Sequence, residues 1–188
     1  AEKMVALLST QLKSVEQTKQ LENPDARISL IDSRSVSLLN AFSYHNNGIC
    51  TGDSVRFYKK IWEQPYLLEG WHWMQGTVEE TKDFGGMDNI VFWQDGRGDL
   101  YNFVATKLGE DQVGSWLRGK KAWSKPGVLV SAMGKLPATS YTGGFFDENT
   151  VVVVVNDAKL LTPVQAYLLS EEFALNVRAI NQTLKVRA

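Results

Sequence analysis

Five valines in a row, Val151 to Val155, constrain the chain more than any other feature. Side chains branched at Cβ favour extended backbone, and the run is far shorter than the roughly 20 apolar residues a membrane-spanning helix needs. It therefore predicts a β-strand of a water-exposed protein. Other short runs of the same kind surround it. Asn89-Ile90-Val91-Phe92-Trp93 is the clearest, closed by the turn signal Asp95-Gly96, and Gly127 to Val130 and Ser140 to Thr142 follow. Ile49 to Thr51 is a short extended piece, and Thr183 to Val186 is the last strand candidate. From Trp71 to Phe103, Gly-rich turns between aromatic and β-branched runs read as β throughout.

Both ends read differently. In Ala1 to Gln20, Val5, Leu8, Leu12 and Val15 recur at helical spacing among polar residues, and Asn23-Pro24-Asp25 breaks the pattern. A second helical stretch around Ser35 to Tyr44 presents Val36, Leu39 and Phe42 and stops at Asn46-Asn47-Gly48. Asp53 is placed to cap a helix running to about Glu63, with Phe57 and Ile61, and Trp62 beside them, on its buried stripe and Pro65 beyond it. Near the C-terminus, Thr162-Pro163 supplies a cap and a first-turn proline ahead of Val164, Tyr167 and Leu168. Terminal helices around a strand-rich centre, without regular βαβ alternation, predict an α+β fold with a mixed or antiparallel sheet. The expected division is an N-terminal helical segment at 1–47 and an α+β body at 48–188, one structural unit.

With 188 residues, 44% of them hydrophobic, the chain has enough apolar material for a sizeable core. A soluble cytoplasmic protein without membrane contact is the expectation. Cys50 is the only cysteine, and His45 and His72 are the only histidines, so the chain cannot assemble an internal disulfide or a Cys-rich zinc site. The net charge of −1 is not that of an autonomous nucleic-acid binder. Its distribution is uneven, however: Gln112 to Phe146 contains no Asp or Glu but holds Arg118, Lys120, Lys121, Lys125 and Lys135. Such a stretch suits an edge that touches phosphates, and equally a solvated loop kept soluble by lysines. Trp116 and Trp123 interleave with these cations and are candidates for stacking on bases, with core packing as the alternative.

The sequence carries little sign of catalysis. Gly85-Gly86 and Gly96-Arg97-Gly98 lack the spacing of a phosphate-cradling loop and, lying between strand-like runs, read as hairpin turns. The segment around Ser131 is not a Gly-x-Ser-x-Gly elbow, and His72 between Trp71 and Trp73 reads as structural.

The stretch Gly48-Ile49-Cys50-Thr51-Gly52-Asp53-Ser54-Val55-Arg56-Phe57, followed by Trp62-Glu63, resembles the Gly-x-x-Thr-Gly-Asp-x-x-Arg-Phe block that opens the target-recognition region of a group of adenine-N6 DNA methyltransferases. These are the TaqI-like and Eco57I-like restriction-modification enzymes and the methylases of BREX-type phage defence. Asp83 to Gly96, Trp123 to Ser131, Thr139 to Asp147, Val151 to Val155 and Thr162 to Ser170 are similar, in order, to later parts of that region. The late helix reads Leu169-Ser170 where the family has Asn-Ser, and a Tyr-Gly-Asn before the middle strand is missing.

The resemblance implies a specificity domain whose partners are double-stranded DNA, its own catalytic methyltransferase domain and, in a defence system, further subunits. The Asn-Pro-Pro-Tyr motif and S-adenosylmethionine loop of that family do not occur here, so the sequence is expected to be the recognition part of a longer enzyme, without cofactor, metal or catalytic residue of its own. Expected phosphate contacts are Arg118, Lys120, Lys121 and Lys125, and expected groove contacts come from the loop around Lys135, Thr139 and Tyr141. Thr51, Gly52, Asp53, Arg56 and Phe57 are expected to serve structure, Asp53 as a cap and Arg56 paired with an acidic or carbonyl partner. A protein-interaction module of a defence complex, without direct DNA binding, is the alternative.

Overall fold

The computed structural model describes residue 9, residues 14–23, residue 28 and residues 38–186. The chain divides into two compact units, Ala1–Ala41 and Phe42–Ala188. Among the described residues of the first, Thr18–Glu22 and Leu39–Ala41 are short 3-10 turns, and Lys19 pairs with Glu16 at 2.9 Å. Most of the helix expected over Ala1 to Gln20 lies outside the described residues, as do Pro24-Asp25 and the start of the stretch expected at Ser35.

The second unit is α+β. Its strands are β1 (Ser43–Asn47), β2 (Tyr58–Lys60), β3 (Trp71–Gln75), β4 (Asn89–Phe92), β5 (Gly127–Ser131), β6 (Ala138–Tyr141), β7 (Phe145–Phe146) and β8 (Thr150–Val155). Its helices are α1 (Ser54–Phe57), α2 (Asp99–Leu108), α3 (Val113–Trp116), α4 (Leu161–Leu168) and α5 (Glu171–Ile180). The strand-rich centre is not one sheet but two, ordered β1-β8-β5-β6 and β2-β4-β3-β7. The first is antiparallel throughout, and the second is mixed because β7 runs parallel to β3.

The valine run is β8, flanked on both sides by β1 and β5, with Val153 opposite His45 and Val128. Val152 and Val154 fall in a core cluster with Leu129, Tyr141 and Phe146, and α4 packs on β5 and β8. A strand covered in this way needs an uninterrupted apolar run rather than an alternating one. The chain passes between the sheets at Phe145-Phe146. Successive strand residues face opposite ways, so Phe146 enters the valine-side cluster while Phe145 packs on a second cluster of Ile49, Phe57, Met74, Val91, Trp93, Leu100 and Val104. Each fully buried side chain of this size contributes about 1.5–3 kcal/mol.

Several local expectations are overturned by pairing and packing. Ser43 and Tyr44, expected to end a helix, belong to β1, so the strand-bearing unit starts at Phe42 rather than after Asn47. Asp53 does cap a helix, accepting the Arg56 N–H at 3.2 Å, but that helix stops after Phe57 because Tyr58–Lys60 pair with β4. Ile61–Glu63 is a separate 3-10 turn. The β reading of Trp71 to Phe103 fails at Asp99–Leu108, which is α2. Its buried Leu100 and Val104 stand four residues apart, a helical repeat hidden among aromatic and β-branched residues.

Gly96-Arg97-Gly98 is therefore a strand-to-helix connection and not a hairpin turn. The first turn of α2 is closed by Gln94, whose Oε1 accepts the Asp99 N–H at 2.7 Å. Gly85-Gly86 does lie between antiparallel neighbours, β3 and β4. At the C-terminus, Ser170 interrupts the expected helix and caps α5 by accepting the Phe173 N–H at 3.4 Å. The strand expected at Thr183 to Val186 is reduced to a single bridge between Lys185 and Met133. Among the described residues, no helix is long and apolar enough to cross a membrane.

Candidate nucleic-acid interface

The block Gly48 to Phe57 holds the start of the basic segment in place. A Cβ on Gly48 would lie 2.0 Å from the Asp147 carbonyl oxygen, so only glycine allows this backbone approach. Gly52 has φ +67° and would drive a Cβ to 2.2 Å from the Trp116 ring. Thr51 is buried, and its Oγ1 accepts the Asp53 N–H at 3.3 Å. The Cys50 N–H donates to the Trp116 carbonyl at 3.0 Å, and Arg118 Nε donates to the Gly48 carbonyl at 3.2 Å. Phe57 is in the core. Among the described residues Arg56 has no acidic or carbonyl partner; its guanidinium lies over the Phe57 and Phe103 rings, 4.8 and 5.6 Å from their centroids.

Beyond Arg118 the chain makes a loop, residues 119–126, that leads into β5. Ala122 is buried in the core and Trp123 packs inward, while Lys120, Lys121 and Lys125 remain exposed. Lys120 Nζ lies 5.7 Å from the Trp93 ring centroid. Lys125 Nζ donates to the Tyr44 hydroxyl at 2.8 Å and lies 5.2 Å from that ring's centroid. The same hydroxyl donates to the Lys121 carbonyl at 3.4 Å. The Ser124 N–H donates to the Gly143 carbonyl at 2.8 Å, tying the loop to the connection between β6 and β7.

Other expected contact residues are elsewhere. The guanidinium of Arg118 is half-buried and engaged with Gly48. Lys135 is exposed in the turn between β5 and β6, at the opposite end of β5 from Lys125. Thr139 is fully buried, with its hydroxyl donating to the Asp83 carbonyl at 3.3 Å. Tyr141 is buried too, donating to the Gly144 carbonyl, and burial raises its phenol above the ordinary range. Neither side chain can reach a ligand, because in β6 both point into the protein. The two stacking candidates are also packing residues. Trp123 meets Trp93 edge-on at 5.3 Å and Phe145 at 4.5 Å, and Trp116 packs against the first core cluster. Tyr44 and Trp93, which support the exposed lysines, carried no local signal of that role.

A second exposed feature lies on the β2-β4-β3 sheet. Ile61, Trp62, Gln64, Pro65, Tyr66 and Trp73 are among the residues lining an apolar groove of about 390 Å³. Trp62 and Tyr66 are each 69% exposed and Trp73 50%. Gln64 is buried, its Oε1 accepting the Leu68 N–H at 3.3 Å while Nε2 has no partner among the described residues. Lys60 lies 5.5 Å from the Trp62 centroid and pairs with Asp88, holding that carboxyl below its usual range.

Carboxylates gather where Ile49 bridges Asp147. Burial lifts Asp147 to about 6. Burial and then the neighbouring Glu148 raise the Cys50 thiol, which disfavours the thiolate a nucleophile would need. Among the described residues, no group of three or more His, Cys, Asp or Glu side chains could hold a metal ion. No protein-family model and no curated protein matches this chain.

Proposed function

We propose that the chain is the DNA-recognition part of an S-adenosylmethionine-dependent adenine-N6 DNA methyltransferase of a restriction-modification or phage-defence system, and that loop 119–126 meets duplex DNA. The observation that carries this reading is the exposure of Lys120, Lys121 and Lys125 on one short loop, within a stretch from Gln112 to Phe146 free of carboxylates. Lysines so placed neutralise phosphates and set register, and sequence is read by groups that reach base edges in the major groove. The adjoining Thr142 to Gly144 connection, hydrogen-bonded to the loop through Gly143, is the nearest backbone for that second task. Methyl transfer requires extraction of the adenine from the stack and falls to a catalytic domain that binds the cofactor. A cytoplasmic location goes with this activity.

The test is binding to a pool of duplex DNA at about 50 and about 200 mM salt, comparing the wild type with the Lys120→Ala, Lys121→Ala, Lys125→Ala triple variant. Affinity that falls steeply with salt, and is largely lost in the variant, supports the reading. Equal binding by both proteins, or none by either, refutes it. The exposed aromatic groove favours a second reading, a protein-interaction module of a defence complex, since clustered exposed aromatics mark protein interfaces. That reading expects Trp62 and Trp73, rather than the lysines, to control association.

A further inference from the structure

We infer that Tyr44 is a positioning residue for the loop's phosphate contacts, an inference that rests on the DNA reading above. Tyr44 is far from the loop in sequence, 77 residues before Lys121 and 81 before Lys125. It sits on β1, the edge strand of its sheet, opposite Val154 of β8. A phenolic hydroxyl has one proton to give and lone pairs to accept with, and both functions are engaged here. It accepts from Lys125 Nζ at 2.8 Å and donates to the Lys121 carbonyl at 3.4 Å. The ring lies beneath the same ammonium, 5.2 Å away.

The loop backbone is itself a chain of turns. The Ala122 N–H donates to Gly119 at 2.9 Å, Trp123 to Lys120 at 3.3 Å and Lys125 to Ala122 at 3.2 Å. Tyr44 joins this compact loop to a sheet edge through one side chain and one main-chain contact. An ammonium has three donors, so Lys125 can keep its bond to Tyr44 and still present donors to a phosphate. Holding a long side chain in advance removes part of the ordering penalty of binding. Tyr44 thus acts through Lys121 and Lys125 and need not touch DNA.

The test is a double-mutant cycle read in duplex binding across a salt series: wild type, Tyr44→Phe, Lys125→Ala and the double variant. Phenylalanine keeps the ring and removes only the hydroxyl. Tyr44→Phe is expected to weaken binding about two- to tenfold with the salt slope unchanged, because Lys125 still neutralises its phosphate. Lys125→Ala should flatten the slope by about 0.9, and in that background Tyr44→Phe should have a smaller effect, set by the Lys121 contact. Wild-type affinity in Tyr44→Phe, or an equal loss with and without Lys125, overturns the inference while leaving the DNA reading intact. Absence of wild-type binding overturns the DNA reading and the inference with it.

Discussion

The basic loop and the aromatic groove both set a lysine over an aromatic ring, with opposite surroundings. In the loop, Lys120 lies over Trp93 and Lys125 over Tyr44, in a stretch without carboxylates. At the groove, Lys60 lies over Trp62 but is paired with Asp88, and the segment Ile61 to Gly70 adds Glu63 and Glu69 with no further cation. A cation over a ring therefore does not by itself make a phosphate site. What matters is whether the ammonium retains donors and whether its field is opposed by nearby carboxylates. Among the described residues Lys120 and Lys125 have no ion-pair partner, and the groove instead offers apolar surface.

This contrast can be broken in several ways, the largest through Gly52, which supports the loop from beneath Trp116. Gly52→Ala combines a left-handed backbone with a Cβ 2.2 Å from the ring, and should lower stability by about 2–4 kcal/mol in chemical denaturation. A loss under about 1 kcal/mol would mean Trp116 moves aside readily and does not anchor the loop. Next, the triple lysine variant should lose at least about tenfold in DNA affinity, or about 1.4 kcal/mol, and its salt slope should flatten by about 2.7. A Trp62→Ala, Trp73→Ala variant should bind DNA within about twofold of wild type, since the lysine over Trp62 is already paired with Asp88. The reverse pattern would exchange the roles of the two regions.

Asp147, in the connection between β7 and β8, gives a pH signature belonging to neither surface. Its folded carboxyl titrates near 6 because of burial, above its ordinary 3.8, so between those values the folded state holds more protons than the unfolded. Its contribution to stability is therefore present at low pH and is lost as pH rises from about 4 to about 6. Asp147→Asn should remove this component and, allowing for partial exposure, stabilise the protein by about 1–2 kcal/mol at neutral pH. An unchanged difference between variant and wild type across that pH range would place the carboxyl in water. The smallest expected effect on stability is at the cap: Asp53→Ala should lower it by about 1 kcal/mol in a thermal melt. Intact stability with lost DNA binding would make Asp53 a contact residue.

The sequence made the strands with the strongest composition legible. Val151 to Val155 and Asn89 to Phe92 are strands within one residue of their expected bounds, because β-branched and aromatic runs have few other stable conformations. Asp53 was readable as a cap and the carboxylate-free stretch as basic. Tyr58 to Lys60 were not readable as a strand, since the pairing partner that ends α1 lies some thirty residues away in β4. Nor could spacing show that Thr139 and Tyr141 are buried, because the face a strand turns inward depends on the sheet it joins.

Composition and local pattern thus determined that the protein is α+β, where its most apolar strand lies, and that Gln112 to Phe146 carries five cations and no carboxylate. Tertiary structure decided that the strands form two sheets, that Arg118 serves Gly48, and that Lys120 and Lys125 rest on aromatic rings from two different strands or their ends. The reason is physical. Propensity and charge belong to neighbours in sequence, whereas a lysine's surroundings are set by whichever distant backbone packs beside it.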